Sequence, residues 1–243
     1  MNSYLLLKII FLAIVLFLIV IFLRKYIYNQ PNIEEFTTKK NINNTSYQKH
    51  VVLLGDSVFK NNAFVNPSYA IEELLRKKTN DKVHCLAKDG ALIKDVYNQI
   101  DYIPYECNNK ESIIFLSIGG NNLLKNNIRL HKSDTANDIF KTYKELVKKL
   151  KTSFSKCKLV LLNLYIPPNI NKIKKNDYFV ENINIWNNKV YNYVTSNNNT
   201  FNLLKIDTLL YKPDDFVSNY EPSTKGGYKI VNAVLRFINK NTK

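Results

Sequence analysis

Cysteine is scarce in this chain, and its placement excludes two classes of protein. Cys85, Cys107 and Cys157 are odd in number and form no Cys-x-x-Cys pair, so neither a disulfide framework nor a zinc spacing is indicated. Arginine is nearly as scarce, with only Arg24, Arg76, Arg129 and Arg236. No basic cluster or aromatic-basic motif accompanies them, which argues against nucleic-acid binding. The formal net charge of +15 therefore comes mostly from lysine. Lysine with asparagine is what AT-rich coding writes at neutral positions, so the charge favours no partner beyond an anionic membrane surface. No phosphate-cradling glycine loop and no ligand cluster is legible, so no metal or organic cofactor is expected.

What is present suffices for one core and an appendage. A chain of 243 residues, 45% hydrophobic and 23% charged, has the composition and length of a single globular domain. The appendage is amino-terminal. Residues 9–23, "IIFLAIVLFLIVIFL", are unbroken hydrocarbon, extended by Tyr4–Leu7 beyond Lys8, and together approach the ~20 residues that span a bilayer. The following "RKYIYNQ" offers no small-x-small cleavage site, which favours a retained anchor over a signal peptide. The sequence thus predicts a membrane anchor over 1–25, a polar tether over 26–48 and a domain over 49–243. Arg24, Lys25, Lys39 and Lys40 follow the span and only Lys8 precedes it, a balance that favours a cytoplasmic domain. Oligomeric state is not legible.

Within the domain, apolar runs at 50–54, 82–86, 112–117, 158–163 and 201–206 read as strands. Amphipathic stretches at 67–78, 91–100, 134–152, 179–195 and 224–239 read as helices. This alternation predicts right-handed βαβ units: an α/β fold, a three-layer α/β/α sandwich with a mainly parallel five-stranded sheet. Val51–Leu54 has no alternation, as in a strand buried on both faces. It runs into Gly55-Asp56-Ser57, so Ser57 is expected at the carboxyl end of a strand, where open α/β sheets keep their ligands. Three more stretches share that rim: "AKDGAL" with Gly90, "SIGGNNLL" with Gly119, Gly120 and Asn121, and "FVSNYEPSTKGGYKI" leading into the last helix.

These stretches resemble the blocks of the SGNH hydrolases, also called GDSL lipases and esterases. "GDS" at 55–57 matches the first block, Gly90 the second and "GGNN" at 119–122 the third. The resemblance implies a flavodoxin-like fold and Ser57 as nucleophile. It also implies an oxyanion hole built from the backbone N–H groups of Ser57 and Gly90 with the Asn121 side chain. Three positions depart from the family. Asn122 stands where the third block usually has Asp, and "SNYEP" replaces the usual Asp-x-x-His-Pro, putting Ser218 for the acid and Glu221 for the histidine base. "GDS-x-F-x-N" together with "EPS" resembles a divergent branch of the same family.

Glu221 is accordingly the expected base. An unperturbed Glu is weaker than His by about two pKa units, and burial would strengthen it while a nearby helix N-terminus would weaken it. His131, in "NIRLHKSD", is the alternative base. His50 precedes the first strand, at the wrong end of the sheet, and His84 falls inside the second. Asp56 is expected to fix the turn, and Asp214 and Asp215 to lie near the site or only to cap the loop. The implied function is a membrane-anchored serine ester hydrolase acting on a small acyl or acetyl ester, its substrate a small molecule or an acylated glycan or lipid. The alternatives are an impaired SGNH-fold binding or scaffold protein, and an acyltransferase using the same serine.

Overall fold

The computed structural model describes residues 49–129, 135–168, 177–218 and 220–240. The expected anchor over 1–25, the tether over 26–48 and His131 lie outside these residues. Among the described residues, no helix is long and apolar enough to cross a membrane.

Five parallel strands form the central sheet: β1 (His50–Gly55), β2 (Lys82–Cys85), β3 (Ile113–Ser117), β4 (Lys158–Leu162) and β5 (Phe201–Leu204). Their order is β2-β1-β3-β4-β5, the doubly wound order that reverses direction between β1 and β3. The continuous apolarity of β1 has a direct cause. Val52 and Leu54 enter the core on one face while Val51 and Leu53 enter it on the other, all four fully buried. Each such side chain contributes about 1.5–3 kcal/mol relative to exposure, so a polar substitution on either face is opposed.

Helices cover both faces. On one face lie α1 (Ile71–Lys78) and the last helix, α6 (Thr224–Lys240), which pack Leu75 and Val231 beneath Leu53. On the other lie α2 (Ile93–Asp101), α4 (Thr135–Ser153) and α5 (Asp177–Thr195), contributing Val96, Leu146 and Trp186. The expected three-layer α/β/α architecture is the one observed.

Two elements were not expected. Residues Gly120–Arg129 form a helix, α3, shortly after β3, a stretch to which the sequence reading assigns no helix. A short antiparallel ladder, β6 (Phe216–Val217) and β7 (Glu221–Pro222), interrupts the final loop. Both lie at the carboxyl rim, and both position a side chain discussed below.

Candidate active site

Ser57 sits just past β1 because Gly55 makes a turn that no other residue could make there. Gly55 has φ of +122°, and a Cβ on it would lie 1.7 Å from the Ser117 carbonyl oxygen of β3. The turn is clamped on its other side by Gln99 of α2, which is buried. Gly55 N–H donates to Gln99 Oε1 (2.7 Å) and Gln99 Nε2 donates to Gly55 O (2.8 Å), as a neighbouring strand would. Asp56 N–H then donates to Ser117 O at 3.1 Å, and Asp56 Oδ1 accepts from Val58 N–H at 3.2 Å. Asp56 is thus the turn-fixing acceptor anticipated from the sequence. Burial pushes its carboxyl up to about 7, and the Glu221 carboxylate adds to the effect.

Glu221 arrives from the far end of the chain. Its strand β7 pairs with β6, Val217 opposite Glu221. The start of α6 is fastened to the turn before β6: Ser223 N–H donates to Asp215 O (2.8 Å) and Ser223 Oγ to Asp214 O (2.7 Å). Gly226 allows the contact, since a Cβ there would meet Asp215 O at 2.2 Å. Tyr165 OH donates to Tyr220 O at 2.8 Å from the other side. The outcome is one hydrogen bond: Ser57 Oγ donates to Glu221 Oε1 at 3.1 Å.

Both partners are buried, Ser57 being 7% and Glu221 5% exposed. Glu221 Oε2 has no hydrogen-bond partner among the described residues. Loss of hydration raises the Glu221 carboxyl to about 7; the Ser57 hydrogen bond opposes the rise and the charge of Asp89 adds to it. Of the two opposing influences anticipated for Glu221, burial prevails over the nearby helix end. A carboxyl near neutrality is the kind of group that moves protons at physiological pH.

Asn121 lies on the first turn of α3, and with Ser57 and Glu221 it lines one cavity. Its Nδ2 donates to Ala91 O at 3.1 Å, which leaves the second amide hydrogen for a ligand. Asn122 does something different from a site residue: its Oδ1 accepts from Ile93 N–H (3.0 Å) and caps α2. Gly119, with φ of +119°, lies against Trp186; a Cβ there would meet the ring at 2.4 Å. Gly90 occupies the adjoining turn with φ of +68°, is exposed and is not among the cavity's lining residues. That turn is tied to the site by Lys88 N–H donating to Gly55 O at 3.0 Å.

The remaining candidates lie elsewhere. Ser218, at φ of 57°, only turns the chain between β6 and β7. Asp215 is buried against Lys229 (2.6 Å) and Asp214 pairs with Lys225, so both serve the loop. His50 and His84 meet at the amino-terminal end of the sheet. Sequence reasoning missed Gln99, which looks like any polar position of an amphipathic helix, and Tyr165, which stands in the irregular stretch after β4 with no motif around it.

Most of the remaining wall is apolar, with Leu124, Leu164, Pro167, Phe179 and Ile183 beside Asp56, Tyr165 and Tyr220, and the cavity holds about 60 Å³. A buried serine on a carboxyl group, beside a free amide donor and an apolar recess, is the equipment of acyl transfer.

Comparison with known proteins agrees. No curated protein matches the chain by sequence. Among solved structures, a lipolytic protein of the G-D-S-L family from Veillonella parvula superposes with a TM-score of 0.62 at 14% identity, covering 79% of this chain and 99% of that one. A GDSL-like lipase from Bacteroides thetaiotaomicron gives 0.60 at 12% identity, covering 79% and 89%. Phospholipase A1 from Streptomyces albidoflavus gives 0.53 at 14%, covering 76% and 98%. At such identities the likeness speaks for the fold alone. The family model for GDSL-like lipase/acylhydrolase matches residues 51–229, which includes Ser57, Asn121 and Glu221. This chain belongs to the GDSL-like lipase/acylhydrolase family, a membership that supports an esterase-type acylhydrolase activity.

Proposed function

We propose that the protein hydrolyses short-chain acyl esters through an acyl-enzyme on Ser57, with Glu221 as the general base. The observation that carries this reading is the buried Ser57–Glu221 hydrogen bond. Glu221 as carboxylate takes the Ser57 proton as Oγ attacks the acyl carbon. The neutral carboxyl then returns that proton to the departing alcohol oxygen. Water enters, is deprotonated by Glu221 and attacks the acyl-enzyme, and the proton finally returns to Ser57. The charge that forms on the acyl oxygen is met by the free Asn121 amide hydrogen. Ser57 N–H has no acceptor among the described residues and is the second donor. The small recess, about 60 Å³ against the ~300 Å³ of a drug-sized pocket, favours a short acyl group.

Hydrolysis of p-nitrophenyl acetate tests this reading. Asn121→Ala should lower turnover by ~10²–10³, the loss expected for one oxyanion donor, and Ser57→Ala should abolish it. Equal rates for wild type and both variants would refute it.

We also propose that residues 1–25 anchor this domain in a membrane, which rests on the apolar run over 9–23. The full chain should sediment with membranes after alkaline extraction, and residues 45–243 alone should stay in the supernatant and fold. Release of the full chain by alkali would remove the anchor from the account.

A further inference from the structure

The end of the sheet opposite Ser57 holds a second cluster of reactive side chains. His50 opens β1, His84 lies in β2, and Cys107 closes the short 3-10 turn Tyr105–Cys107 that follows α2. β1 and β2 pair with Val52 opposite His84, so the two imidazoles fall on one face, where Cys107 also packs. His50 Nδ1 lies 3.0 Å from His84 Nε2 and 3.4 Å from Cys107 Sγ. All three atoms lie within 4.8 Å of one another. The imidazole rings are nearly parallel, at 7°. His50 and Cys107 are buried and His84 is half-buried on the edge strand, which leaves a path from solvent.

A single strong hydrogen bond accounts for only one of the two contacts at His50 Nδ1, the other being at most a weak thiol contact. His50 Nδ1 carries either one hydrogen or one lone pair, yet it meets two partners, and one of them is left unserved. A metal ion serves all three. With Zn–N of about 2.0–2.1 Å and Zn–S of about 2.3 Å, tetrahedral ligands stand about 3.4 Å apart for N–N and about 3.5 Å for N–S. The two separations from His50 Nδ1 lie within about 0.4 Å of these, and His84 Nε2 and Cys107 Sγ, within 4.8 Å of each other, would close on the ion as it binds.

We propose that His50 Nδ1, His84 Nε2 and Cys107 Sγ form a zinc site, with water as the fourth ligand. Binding replaces the Cys107 S–H bond with an S–Zn bond and releases that proton to solvent. One thiolate leaves the centre with a single positive charge. Glu106, adjacent to Cys107 in sequence, is a neighbouring carboxylate, itself 3.8 Å from Lys82 Nζ. The three ligands come from separate segments, so the ion would staple β1, β2 and the turn before β3.

Cobalt(II) titration of the metal-stripped full-length chain in detergent tests the site. One equivalent should produce a thiolate-to-cobalt charge-transfer band and the visible absorption of a tetrahedral ion, and zinc should displace it and raise the melting temperature. Cys107→Ser should lose the charge-transfer band, and half-buried His84→Gln should weaken cobalt binding by at least the ~10–100-fold that loss of a mere outer-shell partner costs. Cys85→Ser, which removes a thiol outside the cluster, should keep both signals. Absence of the band in wild type overturns the proposal, as does a band of equal strength in Cys107→Ser or unchanged affinity in a folded His84→Gln.

Discussion

Glu221→Gln should lower the rate of Ser57 acylation by ~10²–10⁴, the usual contribution of a positioned general base, and leave the fold intact. The amide keeps the shape of the carboxyl and can still accept the Ser57 hydroxyl hydrogen, so position is retained and only proton affinity is lost. The pH profile carries the same information. In wild type the rate should rise with pH and level off above about 7, where Glu221 becomes the carboxylate.

Stability should move the other way. The folded state raises the Glu221 carboxyl from 4.5 to about 7, so it binds this proton more tightly than the unfolded chain does. The stabilisation from Glu221 is therefore complete below about 4.5 and is lost as pH rises through 7. Asp56, raised from 3.8 to about 7, acts in the same direction. Glu221→Gln removes one of the two contributions, so the variant should be more stable relative to wild type at pH 8 than at pH 5. Chemical denaturation at the two pH values measures this. A variant whose deficit is the same at both would mean that Glu221 is not a buried neutral acid.

Gly55→Ala should destabilise the domain on the order of 3–5 kcal/mol, combining a forbidden backbone angle with overpacking against Ser117 O. For a domain of this size that lowers the melting temperature on the order of 10 °C. Gly90 supplies the contrast. It also has positive φ, but a Cβ there meets nothing within 4 Å, so Gly90→Ala should cost only about 1–2 kcal/mol, for backbone strain alone. Thermal unfolding of the pair reads the difference. Equal losses would mean that the close approach of β1 and β3 is not what fixes the turn.

How far the sequence reveals this arrangement depends on whether the signal is local. The strand at 50–54 was legible because burial on both faces leaves an uninterrupted apolar run. The Ser57 turn was legible because only glycine tolerates the Ser117 contact. Glu221 was placed through the "EPS" stretch and its position before the last helix, and the fold carries it 164 residues back along the chain to Ser57. What was not legible depends on crossings between elements. Helix α3 begins with Gly120, Asn121 and Asn122, which resemble a loop until Leu123 is seen buried in the core. Gln99 looks like any polar residue of an amphipathic helix until α2 lies across Gly55. The His50, His84 and Cys107 cluster is assembled by strand register and a distant turn, so no ligand spacing announces it.

The central claim is that Ser57 is a nucleophile made reactive by Glu221, and a fluorophosphonate probe tests it most directly. Time-resolved labelling at pH 8, followed by peptide mass mapping, should find the adduct on the peptide carrying Ser57. It should form within the assay on wild type, be slowed at least ~100-fold by Glu221→Gln, and be absent from Ser57→Ala. Labelling of Ser57 at the same rate in wild type and in a folded Glu221→Gln, or no adduct at Ser57 at all, would contradict it.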